Sequence, residues 1–150
     1  MDRKIAIIIS PNWGDYAKKY LKEFLGSIEK QEFQGEIKLF ITDNESSEES
    51  FRFLSENLKK FPHQIIRNKT NDGYAKGCND SIKKALSENF DYIAIFNIHT
   101  ILDSNCLYEA IKVLDSDKEI GAVQGRMMLW PEKELISSLG NKTHFLGFGY

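Results

Sequence analysis

Four polar clusters stand where apolar runs of this chain stop, and each carries groups suited to holding a nucleotide. After the run at 37–41 come Thr42, Asp43, Asn44 and Ser46. A carboxylate at Asp43 could accept hydrogen bonds from the N–H groups of a base or the hydroxyls of a ribose, although Asp43 and Asn44 equally suit the cap of a helix opening near Ser46. The loop at 67–79, RNKTNDGYAKGCN, sets Gly73 and Gly77 around a helix start, with Arg67, Lys69 and Lys76 adding positive charge. Exposed backbone N–H groups and the helix dipole favour an anion at such a place. Glycine also serves plain turns, so this loop is weak evidence alone. Ser10, Pro11 and Asn12 follow another apolar run, and Asn97 and His99 close a fourth, DYIAIFNIHT at 91–100.

These clusters need a scaffold that brings them to one edge. Residues 5–9 are continuously apolar and mostly β-branched, which predicts a buried strand broken by Ser10, Pro11, Asn12 and Gly14. From Asp15 the period changes: Ala17, Tyr20, Leu21, Phe24, Leu25 and Ile28 form a helical stripe that ends before Gly35. A second strand follows at 37–41, then Ser46 and Glu49 at capping-box spacing open a helix with Phe51, Leu54, Leu58 and Phe61 on one face, ended by Pro62. Ile65 and Ile66 make a short third strand, and Ala75, Cys78, Ile82, Ala85 and Leu86 mark a third helix. The run at 91–100 reads as a central strand buried on both faces. A helix capped by Asp103 or Ser104 is expected next, then a fifth strand at 120–123 and a hairpin over 127–138 turning at Pro131. Strands alternating with helices predict one α/β domain over 1–150, a mainly parallel sheet with right-handed crossovers and helices on both faces. In such a sheet the polar residues after the strands converge on the carboxyl edge, where ligands bind.

Composition limits the partners. Lys and Arg number 20 against 22 Asp and Glu, a balance that argues against coating a polyanion, so no nucleic-acid partner is expected. Two cysteines, Cys78 and Cys106, without a C-x-x-C pair, read as reduced buried thiols of an intracellular protein. Only Met1 to Lys4 precede the first strand and no apolar run reaches the ~20 residues of a membrane span. The expected location is the cytoplasm, with peripheral attachment at the inner membrane face as the other setting. Phe145, Leu146, Phe148 and Tyr150 make an apolar end, which suggests a homo-oligomer or a partner that covers it.

Taken together, the motifs are more specific. TDNESSEES matches V-D-N-x-S-x-D-x-S at Asp43, Asn44, Ser46 and Ser50; NDGYAKGCN matches N-x-G-F-A-x-G-x-N at Asn71, Gly73, Ala75, Gly77 and Asn79, with Tyr74 for Phe. DYIAIFNIHT stands where D-Y-x-x-x-L-N-P-D-T is usual, the first strand ends in SPN where a Tyr-Asn or similar pair is usual, and GAVQGRMML is similar to the strand that follows. By these residues the chain resembles the nucleotide-sugar-binding half of family 2 glycosyltransferases, with their Rossmann-like GT-A fold. The resemblance implies transfer of a sugar from a nucleoside diphosphate sugar to an acceptor hydroxyl, on a sugar or lipid-linked acceptor, in polysaccharide or glycolipid assembly. It also implies donor contacts from Ser10, Pro11, Asn12, Asp43, Asn44, Ser46, Asn71, Gly73, Tyr74, Ala75, Gly77, Asn79 and Asn97, and a divalent metal, Mn2+ or Mg2+, on the diphosphate.

Two departures bear on activity. His99 stands where the family has its metal-binding aspartate, and imidazole suits Mn2+ better than Mg2+, which prefers oxygen. The acceptor half that carries the general base in the family has no counterpart here, and Glu132 and Glu134 read as hairpin-surface charges. The readings left open are a glycosyltransferase, or its donor-binding portion, and a catalytically inactive nucleotide-sugar-binding or protein-interaction module derived from it.

Overall fold

The computed structural model describes residues 3–10 and 16–138. Four strands, β1 (Arg3–Ile9), β2 (Gly35–Asn44), β3 (His63–Asn68) and β4 (Tyr92–Ile95), form a parallel sheet in the order β3-β2-β1-β4. Between them run α1 (Tyr16–Glu29), α2 (Glu48–Leu58) and α3 (Tyr74–Ser87). The residues fall into two compact units, one up to Ser104 and one from Asn105 on.

Strand β1 is the middle of the first unit. Each residue from Ile5 to Ile9 is at most 1% exposed, as a β-branched run flanked by two strands and two helical layers should be. Ala6 and Ile8 join Phe40, Cys78, Ala85 and Phe90 in a core against α3, with Ile82 and Ile93 at its margin. Strand alternation turns Ile5, Ile7 and Ile9 to the opposite face. There α1 and α2, which pack on each other, supply Leu21, Phe24, Leu54 and Leu58, all fully buried. Right-handed crossovers explain this division: two steps in one direction put α1 and α2 on one face, and the return from β3 to β4 puts α3 on the other. The connections after β2 and β3 therefore diverge to opposite faces, which opens a crevice at the carboxyl ends of those two strands.

The fourth apolar run departs from its expected place. It forms only four strand residues, its one strand partner among the described residues is β1, and Ile95 is 48% exposed. An apolar run signals capacity for burial without specifying the neighbours. The expected fifth strand at 120–123 takes no regular structure. Two caps also shift. Ser47, one residue past the expected Ser46, accepts from the Ser50 amide at 3.2 Å and caps α2, with Glu48 and Glu49 in the first turn against the dipole. Asp103 and Ser104 instead present carbonyls to Gln31 Nε2 (2.7 Å) and the Glu32 amide (2.8 Å), tying their segment to the end of α1.

In the second unit Asn105 takes the cap position of α4 (Cys106–Ser116). Strands β5 (Met127–Met128) and β6 (Ile136–Ser138) pair antiparallel, so the expected hairpin forms with shorter strands. Cys78 is buried as expected, whereas Cys106 is only half-buried. Among the described residues no helix is long and apolar enough to cross a membrane. The apolar end at 145–150 lies outside the described residues.

Candidate functional site

Strand β2 runs three residues further than its apolar stretch because Thr42, Asp43 and Asn44 pair with Ile66, Arg67 and Asn68 of β3. Thr42 and Asn44 turn to the α3 face and Asp43 to the opposite one, and all three are at most 1% exposed. Thr42 satisfies its hydroxyl on Ser81 of α3 at 2.8 Å. Asp43 is satisfied on one side only: Oδ2 accepts from Arg67 Nε at 3.2 Å, while the buried Oδ1 has no hydrogen-bond partner. A buried acceptor without a donor costs about 1–3 kcal/mol, and more when charged, which makes Oδ1 a candidate acceptor for a ligand's N–H or O–H.

Arg67 is held from several directions. Its Nη2 donates to the Ser46 carbonyl at 3.4 Å and to Glu48 Oε1 at 2.7 Å, and its guanidinium lies over the Phe51 ring, 4.1 Å from the centroid. The pair with Glu48 raises the Arg67 pKa and keeps the Glu48 carboxyl below its usual range. Arg67 was expected to offer charge to an anion; it is instead engaged by Asp43 and Glu48. Lys76 is likewise paired with Asp80 at 2.5 Å, which raises the lysine and lowers the aspartate.

The loop before α3 is built on local turns. Asn71 Oδ1 accepts from the Gly73 amide at 3.1 Å, and the Asn71 amide donates to Glu45 Oε2 at 3.2 Å. Gly73, the cap residue of α3, has φ +89°, where a side chain would be strained. Asn71, Gly73, Ala75 and Asn79 are exposed. Tyr74 shows about half of its surface (49%), yet its phenol is pushed up to about 12, first by burial of the hydroxyl end and then by its bond to Cys78. Gly77 serves a different purpose from the expected exposed amide. It is buried, its N–H donates to the Gly73 carbonyl at 3.2 Å, and a Cβ there would lie 1.8 Å from Ser10 Oγ and 2.8 Å from Asn44 Nδ2. Gly77 lets α3 approach the ends of β1 and β2.

Ser10 is 3% exposed and Ser46 is 8% exposed. Asn44 reaches Ser10 Oγ at 3.4 Å, the Gly73 carbonyl at 3.2 Å and Asn68 at 3.0 Å. Pro11 and Asn12 lie outside the described residues. After β4, Ile98 and Leu102 are buried while Asn97 and His99 are exposed. Asn97 is exposed and its carbonyl accepts from the Thr100 amide at 3.1 Å. His99 is exposed and meets Tyr20 of α1 edge-on, with ring centroids 6.1 Å apart. Among the described residues no three His, Cys, Asp or Glu converge to hold an ion. Among the described residues, one imidazole beside amide and hydroxyl groups supplies fewer oxygen ligands than the shells of Mn2+ or Mg2+ take. Glu132 and Glu134 are exposed on the hairpin.

Arg67 as the partner of Asp43, and Phe51 beneath it, became visible only through the β2–β3 register. The sequence signal was a cation ending the third strand, aligned with the aspartate ending the second.

Comparison with known proteins adds independent support for the architecture. The model of the family described as Glycosyl transferase family 2 matches residues 7–139. Hyaluronan synthase 3 from Homo sapiens is 32% identical over 66 residues, covering 43% of this chain and 12% of that protein. Residues 1–349 of S. aureus TarS, solved in complex with UDP-GlcNAc, superpose with a TM-score of 0.61 at 18% identity, over 87% of this chain and 41% of that one. The mannosyltransferase PcManGT from Pyrobaculum calidifontis, solved with GDP-Man and Mn2+, gives a TM-score of 0.69 at 14% identity, over 81% and 34%. The chain thus spans 8–18% of the length of the hyaluronan synthases, about two fifths of TarS residues 1–349 and 23% of the longer TarS chain.

Proposed function

The chain belongs to glycosyl transferase family 2 and has its GT-A fold, and from that premise we propose that it binds a nucleoside diphosphate sugar as the donor portion of a glycosyltransferase. The observation that carries this reading is the buried Asp43 with Oδ1 unpartnered, at the crevice where the connections after β2 and β3 diverge. A carboxylate oxygen accepts only. It can take the ring N–H of uracil, thymine or guanine, and an exocyclic amino N–H of adenine or cytosine would also serve it. UDP-GlcNAc and GDP-Man, named with the two structural relatives, both carry such a group. Asn71, Gly73, Tyr74, Ala75 and Asn79 offer the exposed rim on which ribose and diphosphate would lie, and Asn97 and His99 lie beyond the end of the β4 strand. The acceptor is a sugar or lipid-linked hydroxyl, in polysaccharide or glycolipid assembly at the inner face of a membrane.

His99 in place of a carboxylate favours a second reading, a module that binds the donor without transferring it. Calorimetry with UDP and GDP tests this. Heat with UDP or GDP, and at least tenfold weaker binding in Asp43→Asn with an unchanged circular dichroism spectrum, are expected. Absence of heat with both UDP and GDP would defeat donor binding. Binding without hydrolysis or transfer of the matching nucleotide sugar leaves the module.

A further inference from the structure

Asn44 is 1% exposed, and both ends of its amide are committed to other parts of the protein. Nδ2 donates to the Gly73 carbonyl at 3.2 Å and to Ser10 Oγ at 3.4 Å, while Oδ1 accepts from Asn68 Nδ2 at 3.0 Å. One side chain therefore joins the segment after β1, the last residue of β3 and the cap of α3. Asn68 carries the connection onward through a bond to Asp80 on α3. The Gly73 carbonyl is shared, since it also receives the Gly77 amide at 3.2 Å. The missing Cβ of Gly77, which would lie 2.8 Å from Nδ2, leaves the amide just enough room to stay in this position. A carbonyl requires a donor opposite it and Asn68 requires an acceptor. Only an amide of this length supplies both.

We propose that Asn44 is a positioning residue for the nucleotide loop: it touches no ligand, but by pinning the Gly73 carbonyl it fixes the loop at 71–74 against the end of β2. Its sequence neighbour Asp43 keeps one buried oxygen without a partner, whereas Asn44 has its amide satisfied within the protein. Two adjacent residues of one strand thus divide recognition from support. The functional consequence rests on the donor reading above; the loop-fixing role does not.

Asn44→Asp keeps the size and the acceptor for Asn68 but loses the donor to Gly73, and Asn44→Leu loses both. Hydrogen exchange on the whole chain is expected to show the amides of Asn71, Gly73 and Gly77 opening about tenfold faster in Asn44→Asp, and faster again in Asn44→Leu. Amides of Ile7 and Phe40 in the sheet should stay at the wild-type rate in Asn44→Asp. In the same variant UDP or GDP, whichever the wild type binds, should bind about tenfold more weakly. Unchanged loop exchange, or an equal rise in loop and sheet, overturns the proposal, the second because it marks a general loss of stability. Should both variants fail to fold, the wild type decides: the Asn44 side-chain NH2 must exchange at least tenfold more slowly than those of Asn71 and Asn97, and equal rates refute the clamp. If wild type binds neither nucleotide the donor reading falls, while the exchange data still decide the role of Asn44.

Discussion

The ends of β2 and β4 are built from similar material and behave differently. Each apolar run gives way to short polar residues, Thr42-Asp43-Asn44 in one and Asn97 to Thr100 in the other. At β2 those residues continue the ladder with β3 and become buried with assigned partners. At β4 the strand stops at Ile95, and Asn97 and His99 stand in solvent. The difference lies in the neighbours. Thr42 to Asn44 still pair with β3 and are buried, which sets hydrogen-bond requirements on their polar atoms, whereas Asn97 to Thr100 lie beyond the β4 ladder. Among the side-chain hydrogen bonds described for these two ends, those at 42–44 tie the end of β2 to β3 and α3.

That contrast can be broken by measurement. Gly77→Ala should have the largest effect, because the added methyl meets Ser10 and Asn44 together. Thermal or denaturant unfolding should show a loss of ~1–3 kcal/mol, reduced in a Ser10→Ala background, where one of the clashing atoms is gone. Thr42→Val leaves the buried Ser81 hydroxyl without its partner and should cost ~1–2 kcal/mol by the same measurement. Glu48 gives a smaller effect that depends on pH. Arg67 holds its carboxyl below the usual 4.5, so the contribution is present above that pH and is lost as pH falls through the folded value. Glu48→Gln should flatten that part of an acid titration of Tm. His99→Ala should change stability by less than ~0.5 kcal/mol. A cost above ~1 kcal/mol at His99, or none at Gly77, would remove the distinction between the two strand ends.

Much of this was legible before any coordinates. The runs at 5–9 and 37–41, and the helical stripes starting at Ala17 and Ala75, follow from periodicity alone, since burial on one or two faces writes itself into residue type. Asp43 and the loop at 71–79 were legible as motifs. Register was not: β2 gains Thr42 to Asn44 only by pairing with β3, and this pairing buries Asp43 and brings Arg67 to it. That β4 has one strand partner among the described residues was hidden because Tyr92 to Ile95 are as apolar as an inner strand. Gly77 was read as an open amide, and its real constraint, the approach of Ser10, belongs to atoms 67 residues away.

The pairing of β1 on both sides has a consequence for synthesis. β1 meets β2 after a short crossover, Ile5 opposite Ile37, but its other edge waits for β4, with Ile5 opposite Tyr92. At roughly 5–20 residues per second, a nascent chain carries that open β-branched edge for roughly 4–17 s after β1 is made. The most apolar segment of the protein is thus the one that remains longest available to a wrong partner, so yield on expression should depend on translation speed and chaperone supply more than on the stability of the finished sheet.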